Sequence, residues 1–344
     1  MTLAEPSAAA LVESDEGRRT SGGLLRYSVR RTLTALGTVV FVVVVNFFLF
    51  RLLPGDPIGL YTRGRNVPAA QIARLRATLN KPVGEQFLTY IRNPFSSEIN
   101  SARFSRPVWD VIGDSLWPTV LLLGVSTVLA TVIGIWIGIR AGWFRGSRFD
   151  QISTGGTLTL YSMPEFWLGM LLLIAFGVGV GPFPGMFPVG GMSSPGVDTS
   201  TPAGWLDVAW HLTLPAATLT LAYLAEYSLV MRSSLLDELG EDYLTTARAK
   251  GLMDAQVRRR HAVPNALLPT TTLIFLNLGF IVSGAITVET VYSWPGLGLL
   301  TYEALSGPDI ALLQALFLLF SLSVVFFNLM ADLLYGFLDP RVRP

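Results

Sequence analysis

Leu116-Trp-Pro-Thr-Val-Leu-Leu-Leu-Gly-Val-Ser-Thr-Val-Leu-Ala-Thr-Val-Ile-Gly-Ile-Trp-Ile-Gly-Ile139 is a run of 24 residues without a charge, closed by Arg140. A helix needs about 20 mainly apolar residues to cross the roughly 30 Å hydrocarbon core of a bilayer, so this run is long enough to span one. Working outward, residues 33–53, 152–178, 211–231, 264–288 and 310–338 pass the same test. Composition agrees: 51% of the 344 residues are hydrophobic, 14% are charged and mean hydropathy is +0.50, far from the globular average. The sequence therefore describes an all-α polytopic membrane protein with six transmembrane helices.

Lys and Arg orient it. With the N-terminus inside, sixteen of the 25 basic residues fall on inner segments, and the other nine lie between Arg51 and Arg106. That outer loop is about 60 residues long, near the length beyond which loop charge no longer controls translocation. The two later outer loops, about 179–210 and 289–309, have no Lys or Arg. Both termini are expected to be cytoplasmic. The first span is too long for a signal peptide and no small-residue cleavage site follows it. Residues 1–25 read as a disordered cytoplasmic tail and 26–53 as the first span. Residues 54–115 read as an extracytoplasmic loop region with a short surface helix at 69–79. Residues 116–344 read as a five-helix core.

Ala130, Gly134, Gly138 and Gly142 recur every fourth residue, which lets a second helix approach closely, chiefly within the bundle. Pro118, Pro164, Pro215, Pro264 and Pro269 kink or open helices. Ionisable groups at membrane depth are costly, so each is a functional candidate. Glu165, expected roughly 15 to 20 Å above the inner start of its span, and Glu226 are the first choices for a substrate path, followed by Asn277 and Glu289. For each of them, and for Asn46, Asn328 and Asp332, the plainer reading is a bond between helices.

Between the fourth and fifth stretches lies Asp242-Tyr-Leu-Thr-Thr-Ala-Arg-Ala-Lys-Gly-Leu-Met-Asp-Ala-Gln-Val-Arg-Arg-Arg-His-Ala-Val-Pro264, a basic amphipathic insert. Leu239, Tyr243, Ala247 and Lys250 fall at helical spacing. Gly251 suits the left-handed residue that ends a helix, and Asp254 is placed to cap a second one. Arg258, Arg259 and Arg260 complement the dipole of that second helix, and Pro264 opens the next span, where its missing amide costs least. Helix, glycine turn, helix makes a compact foot at about 241–262, with the look of a docking element.

From Gly251 nine residues lead to His261-Ala-Val-Pro264, and Thr245-Thr-Ala247 stands three residues before the glycine. This resembles the Glu-Ala-Ala, three residues, Gly, nine residues, Ile-x-Leu-Pro pattern of permease subunits of bacterial ATP-binding-cassette importers. Asp242-Tyr243 with Thr246 to Gly251, Arg51 to Pro57, Ser162 to Trp167, Val288 to Tyr292 with Pro295 to Gly298, and Asp339-Pro-Arg341 resemble, in order and spacing, the B-type permease of dipeptide and oligopeptide importers.

The resemblance implies a multi-pass subunit of the bacterial cell membrane. It would form the path for di- or oligopeptides with a second homologous permease, sit on two ATPase subunits and receive cargo from an extracytoplasmic peptide-binding protein. Nickel, sugar and haem-like cargoes remain alternatives within the class. On this reading the foot is a coupling helix: Tyr243, Ala247, Gly251 and Leu252 seat it in an ATPase cleft, Arg248 and Lys250 pair with acidic groups at the rim, and Asp242 and Pro264 bound it. Glu165 stands where a small polar residue is expected, and a carboxylate there would favour a cationic group on the cargo. The chain itself is expected to be no enzyme and to need no cofactor, with ATP and Mg held by the partner ATPases. Its lysines, Lys81 and Lys250, are followed by Pro and Gly, so neither belongs to a phosphate-binding loop. With no Cys, and His211 and His261 on opposite faces, neither a zinc site nor a His-based nucleophile pair assembles. A secondary transporter or channel is the other alternative, although no inverted repeat of broken helices is evident.

Overall fold

The computed structural model describes residues 8–51, 81–93, 100–279 and 281–338, with isolated positions between 59 and 77. Of the expected surface helix at 69–79 only positions 69, 72, 73, 76 and 77 are described, and the Arg51 to Pro57 motif beyond Arg51 and Asp339-Pro-Arg341 lie outside the described residues.

The chain is mostly helical. In order, α1 is Ala8–Arg51, α2 Val83–Arg92, α3 Val108–Trp143, α4 Arg148–Tyr161 and α5 Glu165–Leu172, which widens into a π-turn at Leu173–Val178. A two-residue hairpin, β1 (Gly179–Val180) and β2 (Phe183–Pro184), precedes α6 (Pro202–Glu238). Then come α7 (Asp242–Ala249), α8 (Asp254–Val257), a second π-turn at Arg258–Ala262, and α9 (Val263–Leu278). After a 3-10 turn at Ile281–Ser283 follow α10 (Ile286–Val291), α11 (Leu297–Ser306) and α12 (Ile310–Leu338).

Among the described residues, four helices are long and apolar enough to cross a membrane, at 26–51, 108–143, 202–238 and 310–333, and a fifth crossing results if α4 and α5 count as one bent span. Two of the expected spans are therefore interrupted, the first at Pro164, one of the prolines expected to kink or open a helix. The stretch 152–178 bends by 104° between α4 and α5. Proline restricts the residue before it to extended conformations and cannot donate to the helix ladder, so α4 stops and α5 restarts after Pro164, whose carbonyl accepts from Trp167 and Leu168. Glu165 is thus the first residue of a new helix instead of a position deep in a straight one. The stretch 264–288 is helical only to Leu278; Gly284, at φ +75°, helps turn the chain before α10. α1 is helical from Ala8, where a disordered tail was expected, because Ala8, Ala9, Ala10 and Leu11 are strong helix formers. α3 begins at Val108, so the expected loop region reaches only that far.

α3 and α6 form the centre. A Cβ on Gly134 would lie 2.7 Å from the Leu224 carbonyl oxygen, and one on Gly138 would lie 2.6 Å from that of Ser228. The stripe of small residues is an intramolecular contact. Trp117 and Trp136, about half exposed on α3, are nineteen residues apart, roughly 28 Å along a helix and close to the hydrocarbon thickness. Trp117 meets Trp205 at one end, with ring centroids 6.5 Å apart; at the other, Trp136 lies 6.0 Å from Phe149, over which the Arg140 guanidinium stacks at 4.9 Å. These are the two aromatic belts of a membrane span. α12 packs along α1, joined by an Arg31–Asp332 pair at 3.2 Å and by Asn46 donating to the Gln314 carbonyl at 3.3 Å. Asn46 and Asp332 have interhelical roles.

Candidate functional site: the polar foot and the residues above it

The foot continues the ends of α3 and α6. Leu244, Ala247, Val257, Ala262 and Ala266 are buried against Met231 and Leu235 of α6, with Ile135, Ile139 and Trp143 of α3 packed alongside. Ala247 therefore faces its own chain instead of a partner, and Leu244, which the sequence reading passed over, is fully buried. Its signal was the three-residue spacing to Ala247, the narrow apolar stripe of a short surface helix.

α7 ends in a Schellman turn. The Gly251 N–H donates to the Arg248 carbonyl at 2.9 Å and the Leu252 N–H to that of Ala247 at 3.4 Å, with Gly251 at φ +82°. Leu252 and Ala247 belong to the same apolar cluster, the contact that accompanies this motif. Nothing lies within 4 Å of where a Gly251 Cβ would be, so this glycine serves the backbone turn and leaves an open surface. Asp254 does not cap α8. It is the first helical residue and pairs with Arg248 at 3.2 Å, while the Gln256 side chain accepts from the Met253 N–H at 3.3 Å. Arg248 is thus engaged within the foot. Lys250 and Asp242 are exposed, and Met253, 66% exposed, is an apolar contribution to the outer face that the sequence reading missed.

Tyr243 also turns inward. Its hydroxyl donates to the Glu238 carboxylate at the end of α6 and accepts from Asn265 of α9 at 2.9 Å. Burial first, and the Glu238 carboxylate second, hold the phenol above its ordinary range, so it remains a donor at neutral pH. Pro264 is the second residue of α9, directly after the π-turn, at the helix start where its missing amide costs least. Beside the foot, Arg232 of α6 makes a two-pronged pair with the buried Asp150 of α4, at 2.6 and 3.0 Å.

Two of the four candidate path residues meet. Asn277 of α9 donates to Glu226 at 3.4 Å and lies 3.1 Å from the Tyr227 hydroxyl. Glu165, in the first turn of α5, is half-buried. Glu289 is not a path residue. It is fully buried, accepting from the N–H groups of Ala285 at 3.3 Å and Leu299 at 3.0 Å and from the Thr119 hydroxyl at 3.2 Å, which satisfies backbone freed by the break before α10.

Residues 130–344 match the family described as the binding-protein-dependent transport system inner membrane component, and residues 24–116 match its N-terminal membrane component. The chain is 36% identical over 340 residues to the dipeptide transport system permease protein DppB of Escherichia coli K12, covering 93% of this chain and 99% of the relative. It is also 36% identical over 323 residues to the glutathione transport system permease protein GsiC of Pectobacterium atrosepticum, with the same coverage. In fold it resembles a chain of the MetNI methionine ABC transporter in an inward-facing conformation, at TM-score 0.54 and 18% identity, over 69% of this chain and all of that one. The fold and the site thus define a membrane-embedded permease. The chain belongs to the binding-protein-dependent transport permease family and is an inner-membrane component of an ABC importer.

Proposed function

We propose that this chain imports di- or oligopeptides as one of two homologous permease subunits, driven by two ATPase subunits and supplied by an extracytoplasmic peptide-binding protein. The peptide cargo is supported by the relatives named for dipeptide and glutathione transport, both short peptides. The chain crosses six times with both termini inside, the sixth crossing being α9 with its interrupted continuation. The 54–115 region then lies outside. The chain carries no ATPase of its own, and ATP and Mg belong to its partners.

The observation that carries the coupling role is the foot: a polar helix pair, fixed by apolar packing to the ends of α3 and α6, with Gly251, Lys250 and Met253 left open. On this reading the open face enters an ATPase cleft, and Glu165, Glu226 and Asn277 line the path. Closure of the ATPases on nucleotide moves the foot, and the difference between its contacts in the two nucleotide states supplies the free energy that shifts the spans.

A pull-down from detergent-solubilised membranes, with Gly251→Asp alongside, tests this. A Cβ at this position meets no atom of its own chain, and its left-handed strain is worth about 1 to 2 kcal/mol. The expected result is a second permease and ATPases with the unaltered chain, and no ATPases with the variant. Recovery of the chain alone in both samples would overturn the reading. Loss of uptake preference for cationic peptides in Glu165→Gln tests the path; unchanged uptake of all cargoes removes Glu165 from it.

A further inference from the structure

We infer that the Tyr243 hydroxyl is a positioning group for coupling: it sets the angle of the foot to α6 and α9, so that displacement of the foot becomes displacement of the spans. The inference rests on the coupling reading above and adds the element that makes it mechanical.

The foot is joined to the spans by a short connection on each side. Before it, only Leu239, Gly240 and Glu241 separate α6 from α7. At its end the π-turn at Arg258–Ala262 leads into α9, while the left-handed Gly251 turns the chain between its two helices. The apolar cluster of Leu244, Ala247 and Val257 holds the foot in place, but apolar contact is non-directional and permits rotation. Hydrogen bonds are directional, and the Tyr243 hydroxyl spans both connections. Its single proton goes to Glu238, the last residue of α6, and its lone pair takes the Asn265 amide from the third residue of α9. The His261 carbonyl, within the π-turn itself, is 3.3 Å from the same oxygen. One hydroxyl therefore ties the preceding helix, the foot and the following helix together.

The test uses the complete complex in liposomes, with ATP hydrolysis and uptake of a labelled dipeptide measured together. Tyr243→Phe keeps the ring and its packing and removes only the hydroxyl. The expected result is retained ATP hydrolysis with uptake per ATP lowered about tenfold, the size of an ordinary coupling free energy. Glu238→Gln keeps an acceptor and is expected to lose less. An unchanged uptake per ATP in Tyr243→Phe, or hydrolysis and uptake falling in parallel, would overturn the inference, the latter because a merely structural role lowers both. A measurement independent of cargo uses the absence of native Cys: nitroxides at Met253→Cys on the foot and Val132→Cys on α3, both exposed, read by pulsed electron resonance in the same complex. A narrow distance distribution with and without ATP, broadened by Tyr243→Phe, supports the tie; an unbroadened one overturns it. An unaltered complex that lacks ATPase overturns the coupling reading itself, before any Tyr243 variant is made.

Discussion

Glu289 and Tyr243 anchor two polar knots with the same logic and different surroundings. Each side chain joins three segments that are separate in sequence: Glu289 joins α10 to α3 and α11, and Tyr243 joins α7 to α6 and α9. Glu289 has no exposed surface, and Thr119, which donates to it, in turn accepts from the Leu297 N–H at 2.6 Å. No water can replace a partner lost there. Tyr243 is only half-buried and Asn265 is exposed, so water can substitute. Burial decides which knot is a fixed staple and which can reorient at small cost.

The largest effect is therefore expected at Glu289. Glu289→Ala strands two backbone N–H groups and the Thr119 hydroxyl, at a cost of about 3 kcal/mol or more, read as a fall in the thermal unfolding midpoint of the detergent-solubilised chain; Glu289→Gln, which keeps an acceptor, should lose less. Next, Gly138→Ala forces a Cβ against the Ser228 carbonyl and should cost about 1 to 3 kcal/mol. Gly124→Ala, with nothing within 4 Å, should be neutral or stabilising by up to about 1 kcal/mol in the same assay; equal effects would break the claim that the stripe, and not helix propensity, sets the α3–α6 contact. Tyr243→Phe should cost the least, about 1 kcal/mol or less, with its consequence in coupling. A midpoint loss as large as that of Glu289→Ala would erase the distinction between the two knots.

The foot was legible where local rules act alone. Gly251 was placed correctly because a left-handed helix end needs no information beyond its own backbone. Asp254 is not the cap because the Met253 carbonyl takes the Gln256 and Val257 N–H groups and Arg248 stands in reach of the carboxylate. The resemblance implies Ala247 and Tyr243 as seats in a partner's cleft, but helical spacing shows only that they share a face, without showing which neighbour meets it. Among the path candidates, Glu226 and Asn277 do meet, whereas Glu289 was indistinguishable from them in sequence: each is a polar side chain in an apolar run, and only the fold separates a cavity wall from a sealed knot.

The apolar runs by themselves determined that the chain lives in a bilayer, because transfer of some 20 side chains from water is set by composition and length. The basic insert and its glycine turn were likewise fixed locally. Tertiary structure decided the rest. The bend at Pro164 and the interruption after Leu278 expose backbone groups that are tolerable only where distant partners, such as Glu289 for the break before α10, satisfy them. The inward turn of Tyr243 depends on Glu238 and Asn265 converging from two helices. Satisfaction of buried polar groups is a property of neighbours in space, and a linear pattern does not contain it.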